Sequence, residues 1–260
     1  MRPLLFHFLG IPVPAWHFLF AAAALVAFFC FRISISKLQQ GISKKAISGI
    51  FSAGYFGVIA GAVIWSEFIE AAGSHSGGQN MHLSMSSSGG IIGGVICASV
   101  AARYFRIPVA RVGDAAALPV LLAFAIGRIG CFLNGDDYGS AISLGQRWLP
   151  ALLFNHHESV VSRHPVQLYE SACCLTGVFL IRTFRSRAAL RGQALGCGVV
   201  GALSLVWYAC VRFVLENLRG DWRGAPLHLS EKYLFSPPQT LAVVMVLLGT
   251  ILLLRLKLHE

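Results

Sequence analysis

Acidic residues are scarce in this chain, with 11 Asp and Glu against 21 Lys and Arg in 260 residues. Charged residues together make up 12% of the sequence and hydrophobic ones 56%, whereas a soluble domain carries roughly 25% charged residues. The shortage excludes an ordinary water-soluble globule and predicts an all-α polytopic membrane protein that has the lipid bilayer as its surroundings. In a soluble protein the net charge of +10 would raise nucleic acid as a partner. Here the basic residues form short clusters between apolar runs, so no nucleic acid is expected and membrane orientation accounts for the charge. Paired cysteines are lacking too. The seven cysteines, at 30, 97, 131, 173, 174, 197 and 210, are odd in number and follow no metal-site or disulfide spacing, so they read as small buried hydrophobes. No internal repeat and no soluble segment interrupts the pattern, and residues 1–260 read as a single integral-membrane domain.

What is present is a series of apolar runs of membrane-crossing length: Ala15–Phe31, Ala46–Ser66, Gly89–Ala102, Ala115–Cys131, Val166–Ile181, Gln193–Leu215 and Thr240–Leu254. Each is near the ~20 residues that span hydrocarbon, predicting about seven transmembrane helices. Arg2 followed by an apolar run has the look of a secretory signal, but Pro12 and Pro14 interrupt it and no cleavage site follows, so the first helix is read as retained. Arg32, Lys37, Lys44 and Lys45 follow the first run, Arg103, Arg106 and Arg111 the third, Arg182, Arg185, Arg187 and Arg191 the fifth, and Arg255 and Lys257 the seventh. Between Glu67 and Ser84 there is neither Lys nor Arg. The positive-inside rule then places the amino terminus outside and the carboxyl terminus in the cytoplasm, in a multi-pass protein of a bacterial inner membrane.

Three polar clusters stand out on the predicted outer side. The first, Gly127-Arg-Ile-Gly-Cys-Phe-Leu-Asn-Gly-Asp-Asp-Tyr-Gly-Ser140, puts Arg128 at the end of an apolar run, where a guanidinium costs roughly 2.5–3.5 kcal/mol or more unless it finds an anionic or polar partner. Snorkelling to the headgroups is the structural alternative. Asn134, Asp136, Asp137 and Tyr138 add polar groups just past that run, and Cys131 lies inside the cluster without a neighbouring Lys or His to activate it. The second cluster, Arg163-His-Pro-Val-Gln-Leu-Tyr-Glu170, opens a helix with Pro165 in the first turn. Gln167 and Glu170 share a face there, and an interfacial helix start with a Tyr169 anchor is the plainer reading. The third, Tyr208, Arg212, Glu216 and Arg219 followed by Asp221, forms one stripe by its spacings of four, four and three. Arg212 and Glu216 can simply neutralise each other. Alternatively, Arg128, Arg212 and Arg219 converge with few carboxylates around them and hold an anion, for which forked donors favour phosphate.

These motifs, in this order, resemble those of the phosphatidylglycerol–prolipoprotein diacylglyceryl transferases, from about the second helix to the seventh; Asp114 and Gln239 also fit that family's pattern. The resemblance implies seven transmembrane helices and transfer of the diacylglyceryl group from phosphatidylglycerol to the lipobox cysteine thiol of a preprolipoprotein, releasing glycerol 1-phosphate. It implies no metal and no organic cofactor, because the nucleophile is the acceptor's own sulfur. Carried across, Arg128 and Arg212 hold the phosphate and stabilise the leaving group, with His164 as a further catalytic candidate. Asn134, Asp136 and Gly139 shape the headgroup pocket, Gln167, Tyr169 and Glu170 line its outer wall beside His164, and Glu216 and Arg219 complete the binding set. Two departures matter. Ser88-Gly89-Gly90 stands where the family commonly has His-Gly-Gly, and Cys131 stands where it commonly has Asn. The proton acceptor is therefore open among His17, His82, His164 and Asp136. A non-catalytic phospholipid-binding protein on the same scaffold is the alternative from another functional class, and an ion-coupled transporter is disfavoured by the scarcity of acids deep in the helices.

Overall fold

The computed structural model describes residues 4–8, 11–73, 86–142, 152–156, 159–193, 195–219 and 235–257; His82 and Asp221 lie outside them. Among the described residues there are seven helices: α1 (Ala15–Leu38), α2 (Lys44–Gly73), α3 (Ser87–Tyr104), α4 (Val109–Asn134), α5 (Val166–Leu190), α6 (Val199–Glu216) and α7 (Pro237–Lys257). Two antiparallel hairpins add to the helical architecture, β1 (Leu4–Phe8) with β2 (Ile11–Pro14) and β3 (Leu152–His156) with β4 (Ser159–Arg163). Among the described residues, α1, α2, α4, α6 and α7 are long and apolar enough to cross a membrane. Glycines and serines dilute α3, and Gln167, Glu170 and a run of arginines dilute α5.

Most helices extend beyond their apolar runs, and basic residues expected in loops occupy their ends. Arg32 and Lys37 are on α1, Arg103 on α3, Arg111 on α4, and Arg182, Arg185 and Arg187 on α5, and the acidic Asp114 likewise lies within α4. A helix keeps its backbone hydrogen bonds into the headgroup layer, where long basic side chains reach water without breaking it.

Two cores hold the bundle. Near one end Phe31 and Ile35 of α1 meet Ala46, Ile47 and Ile50 of α2, Ala102 of α3, Ile107, and Val112 and Ala115 of α4. The other core joins α4 through α7: Leu121 and Ala125, Cys174 and Ile181, Tyr208 and Ala209, Ala242 and Met245, with Ile91 of α3 packed against it. Helices α2 and α3 approach so closely that a methyl group on Gly61 would sit 2.3 Å from the Gly89 carbonyl oxygen, and one on Gly57 2.5 Å from that of Gly93. Such contact between backbones is how helices associate in lipid, where apolar side chains gain little by leaving the surroundings.

Only Cys174 of the seven cysteines is buried; Cys197 and Cys210 are exposed and the others are intermediate. The expectation that the cysteines other than Cys131 are buried is thus corrected for all but Cys174. An apolar run in a bilayer protein faces lipid on much of its circumference, so apolar surroundings do not mean burial within protein.

Candidate active site

The chain end of α4 is set by Gly135, whose left-handed backbone (φ 87°) lets its N–H reach the Cys131 carbonyl at 3.0 Å and stops the helix after Asn134. Asp137, two residues on, is also left-handed at φ 61°, a conformation that aspartate adopts more readily than most residues but still at some cost. That turn carries its carboxylate back over the helix. Gly139 then threads between the start of α5 and the exit of α6. Its N–H donates to the His164 carbonyl at 2.9 Å, Ser140 N–H donates to the Leu218 carbonyl at 2.8 Å, and His164 N–H donates to the Ser140 carbonyl at 3.2 Å. A methyl group on Gly139 would lie 2.6 Å from the His164 oxygen and 2.7 Å from the Leu218 oxygen, so only glycine fits this strap. Arg163 locks it from outside, donating Nη1 to the Gly139 carbonyl at 3.3 Å with its guanidinium 4.8 Å from the Tyr138 ring centre.

Beneath the strap the three polar clusters meet. Glu170 on α5 is fully buried. Its Oε1 accepts the Tyr208 hydroxyl at 3.1 Å, and Oε2 pairs with Arg128 Nε at 2.9 Å and Arg212 Nη1 at 3.3 Å. Asp137 bridges Arg128, whose Nη1 lies 2.5 Å from Oδ2, and Arg219, whose Nη2 pairs with Oδ1. Arg212 Nη2 is 3.0 Å from Glu216 Oε2. The result is a chain of alternating charge: Arg219, Asp137, Arg128, Glu170, Arg212, Glu216. The expectation of arginines with few carboxylates is corrected here, because three guanidiniums face three anions. In a low-dielectric interior each buried guanidinium requires such compensation. Four of the chain's 11 acids (Asp136, Asp137, Glu170 and Glu216) gather at this one end. The proposed Arg212–Glu216 neutral pair exists, yet Arg212 also serves Glu170, which ties α6 to α4 and α5.

The cluster is compensated in charge but leaves hydrogen-bonding groups unused. The Arg212–Glu216 contact is close without hydrogen-bond alignment, and Arg212 Nη2 and Glu216 Oε2 both lack hydrogen-bonding partners among the described residues, as do Arg163 Nε and Gln167 Oε1. All are buried atoms, and each costs about 1–3 kcal/mol if nothing meets it. Gln167 donates its Nε2 to the Asp136 carbonyl at 2.5 Å. Asn134 donates Nδ2 to Asp136 Oδ2 at 2.8 Å. Tyr169 is half-buried, its ring 6.4 Å from that of the fully buried His164. Glu216 and the end of α6 are joined to α7, Ser236 Oγ lying 3.4 Å from Glu216 Oε1 and Gln239 donating to Asn217 Oδ1 at 3.2 Å.

Among the candidates for a proton acceptor, His17 is exposed on α1 with its ring edge-on to Trp16 at 5.0 Å, and it is the backbone of Trp16 that lies beside Gly130. Ser88 is buried in the first turn of α3. Three participants were underweighted by sequence reasoning. Asp137 holds two of the arginines, Tyr208 holds Glu170, and Arg163 holds the strap. The signal for Tyr208 was its place four residues before Arg212; for Asp137 nothing in the sequence separates it from Asp136.

Asp114 sits at the opposite end of the bundle. Its oxygens accept the Gly198 N–H at 2.6 Å and the Gly201 N–H at 2.8 Å, so a carboxylate of α4 caps the first turn of α6.

A family model described as prolipoprotein diacylglyceryl transferase matches residues 3–255. The phosphatidylglycerol–prolipoprotein diacylglyceryl transferase of Idiomarina loihiensis is 30% identical over 267 residues, covering 98% of this chain and 93% of its own. The protein of the same name from Staphylococcus haemolyticus is 27% identical over 248 residues, covering 90% and 80%. That from Lactococcus lactis subsp. lactis is 33% identical over 168 residues, covering 63% and 59%.

Proposed function

Because the chain belongs to the prolipoprotein diacylglyceryl transferase family, we propose that it moves the diacylglyceryl group of phosphatidylglycerol onto the lipobox cysteine thiol of a preprolipoprotein. The enzyme is a transferase of lipoprotein biosynthesis working in a membrane. The acceptor sulfur attacks the glycerol carbon that carries the phosphate ester, the carbon–oxygen bond breaks, and glycerol phosphate leaves with the electron pair. Phosphatidylglycerol brings one negative charge, and the departing glycerol phosphate gains a second. Donors already aimed at that oxygen therefore bind the transition state more tightly than the lipid.

One observation carries this reading: buried donors and acceptors left unmet inside an otherwise neutral chain of ion pairs. Arg128 commits Nε and Nη1 to carboxylates, and Arg212 commits Nη1. Their remaining N–H groups are the phosphate's partners, with Glu170 and Asp137 fixing the two forks and Arg219 steadied through Asp137. Gln167 Oε1 and Glu216 Oε2 are acceptors and suit the hydroxyls of the glycerol headgroup. Asn134, Asp136 and Tyr169 form the mouth, and His164 with Gly139 supports the strap above it. The sulfur is the acceptor's own, so the residues gathered here bind, orient and stabilise charge.

Basic residues gather at the end of the bundle away from this site, so the site faces outward with the amino terminus on the same side, and the carboxyl terminus lies in the cytoplasm of a bacterial inner membrane. Purified protein in phosphatidylglycerol micelles with a lipobox peptide tests the function. Glycerol phosphate release matched by a peptide heavier by one diacylglyceryl group is expected. Tight lipid binding without turnover would instead make this a lipid-binding protein on the same scaffold.

A further inference from the structure

A thiol becomes a strong nucleophile only on losing its proton, so transfer requires a group near the guanidiniums able to accept one. The described ion pairs dispose of most candidates. Glu170 holds Arg128, Arg212 and Tyr208 on its two oxygens, and both oxygens of Asp137 hold arginines. Glu216 lies against Arg212 and Ser236, and Asp114 is bound to two backbone N–H groups at the far end. His164 is fully buried beneath the strap. His17 is on the opening turn of α1, stacked edge-on against Trp16.

Asp136 is different on each count. It is exposed where the other three site carboxylates are buried or half-buried. Its carboxylate takes only neutral hydrogen bonds among the described residues, from the Asn134 amide at Oδ2 and from its own backbone N–H. It pairs with no arginine among the described residues, although Arg128 is near enough to act on it electrostatically. The amide of Gln167 fixes its position by holding its backbone carbonyl. We propose that Asp136 is the proton acceptor for the incoming thiol, a catalytic role resting on the transferase reading above. The S–H proton passes to the Asp136 carboxylate as the sulfur–carbon bond forms and the carbon–oxygen bond to phosphate breaks. Glycerol phosphate leaves as the electron pair's carrier, and Asp136 returns the proton to water or to that phosphate.

The electrostatic surroundings agree with this role. Partial burial raises the carboxyl above the usual aspartate value and Asp137 beside it raises it further, while the Asn134 hydrogen bond, the residue's own backbone N–H and Arg128 hold it down. Cys131 and Arg128 on α4, Asp137 in the turn and Gln167 on α5 are the polar and titratable groups that face it. A more basic carboxylate is better matched to a thiol.

Asp136→Asn keeps the shape and the Asn134 contact while removing the basic oxygen. With a lipobox peptide carrying cysteine, its kcat/KM is expected to fall about 10²–10⁴-fold, while phosphatidylglycerol retained by the purified variant, read by native mass spectrometry, is unchanged. With the same peptide carrying selenocysteine, which is ionised at neutral pH, the variant keeps most of the wild-type rate. The wild-type kcat/KM for the thiol declines as pH falls through the Asp136 value, and Asp136→Glu restores part of the activity with the same decline. An unaltered rate and pH profile in Asp136→Asn overturns the assignment, and so does an equal loss on both peptides. If the wild-type protein transfers nothing to either peptide, it is the transferase reading that fails.

Discussion

Arginines mark both ends of this bundle, and they are treated in opposite ways. At the strap end Arg128, Arg212 and Arg219 are buried, between 5% and 9% exposed, and every ion pair found among the described residues belongs to them. At the other end Arg182, Arg185, Arg187 and Arg191 run along the last turns of α5, exposed or half-exposed, with no carboxylate paired to them among the described residues. The difference follows from dielectric. A guanidinium facing headgroups and water keeps its hydration, whereas one drawn under a strap of backbone must be given an anion. On the proposed function the same side chain is an orientation signal at one end and a binding device at the other.

The comparison breaks most visibly at Glu170. Replacing it with Ala leaves Arg128 and Arg212 buried without their shared anion, and loss of one partner from such a set destabilises by about 3–5 kcal/mol. A lowered melting temperature in detergent together with abolished transfer is expected. A variant melting like the wild type would mean that these arginines reach water and that the two ends are alike. Arg212→Ala removes a proposed phosphate donor and a cross-link between helices. Transfer should drop about 10²–10³-fold, as for the loss of one donor to a developing anion. Full activity in Arg212→Ala or Arg128→Ala would remove the phosphate from this cluster.

Sequence patterns reveal this comparison only in part. The helices are legible because apolar runs of spanning length have few other uses, and the three clusters are legible because charge is so rare here that any intramembrane Arg stands out. Helix ends are less so, since the basic residues of Arg182–Arg187 look like a loop and are a continuation of α5. Which acid serves which arginine is hidden altogether. Asp136 and Asp137 are neighbours of one type, and a left-handed turn at Asp137 decides that one holds Arg128 and Arg219 while the other faces outward. The strap through Gly139 and the Asp114 cap join residues at least 24 and 84 positions apart, and no local periodicity encodes such partners.

Asp114 sharpens the comparison from the other side, as a buried acid at the basic end whose partners are backbone rather than arginine. Asp114→Ala strips the first turn of α6 of its cap and should lower stability by about 1–2 kcal/mol. Thermal unfolding in detergent reads this, and Asp114→Asn restores part of it through its remaining oxygen. Since α6 carries Tyr208, Arg212 and Glu216 near its other end, kcat well below the melting temperature should stay close to wild type. A loss of kcat without a loss of stability would show that the cap sets the register of α6 at the site.

The smallest effect is expected where arginine is most plentiful. Arg187 lies about 25 Å from Glu170 along α5, at 1.5 Å per residue, and borders with Arg191 a groove of about 270 Å³ at the basic end. Both guanidiniums are exposed, so replacing them with Gln removes no buried partner and should change stability by less than about 0.5 kcal/mol. Transfer in detergent should match the wild type. What should move is insertion, because on the proposed topology fewer positive charges beside α5 weaken the bias of this end toward the cytoplasm. A reporter fused to the carboxyl terminus reads that bias in cells. If Arg187→Gln/Arg191→Gln instead abolished transfer by correctly inserted, purified protein, charge at this end would take part in the chemistry, and the contrast between exposed and buried arginine would no longer separate orientation from catalysis.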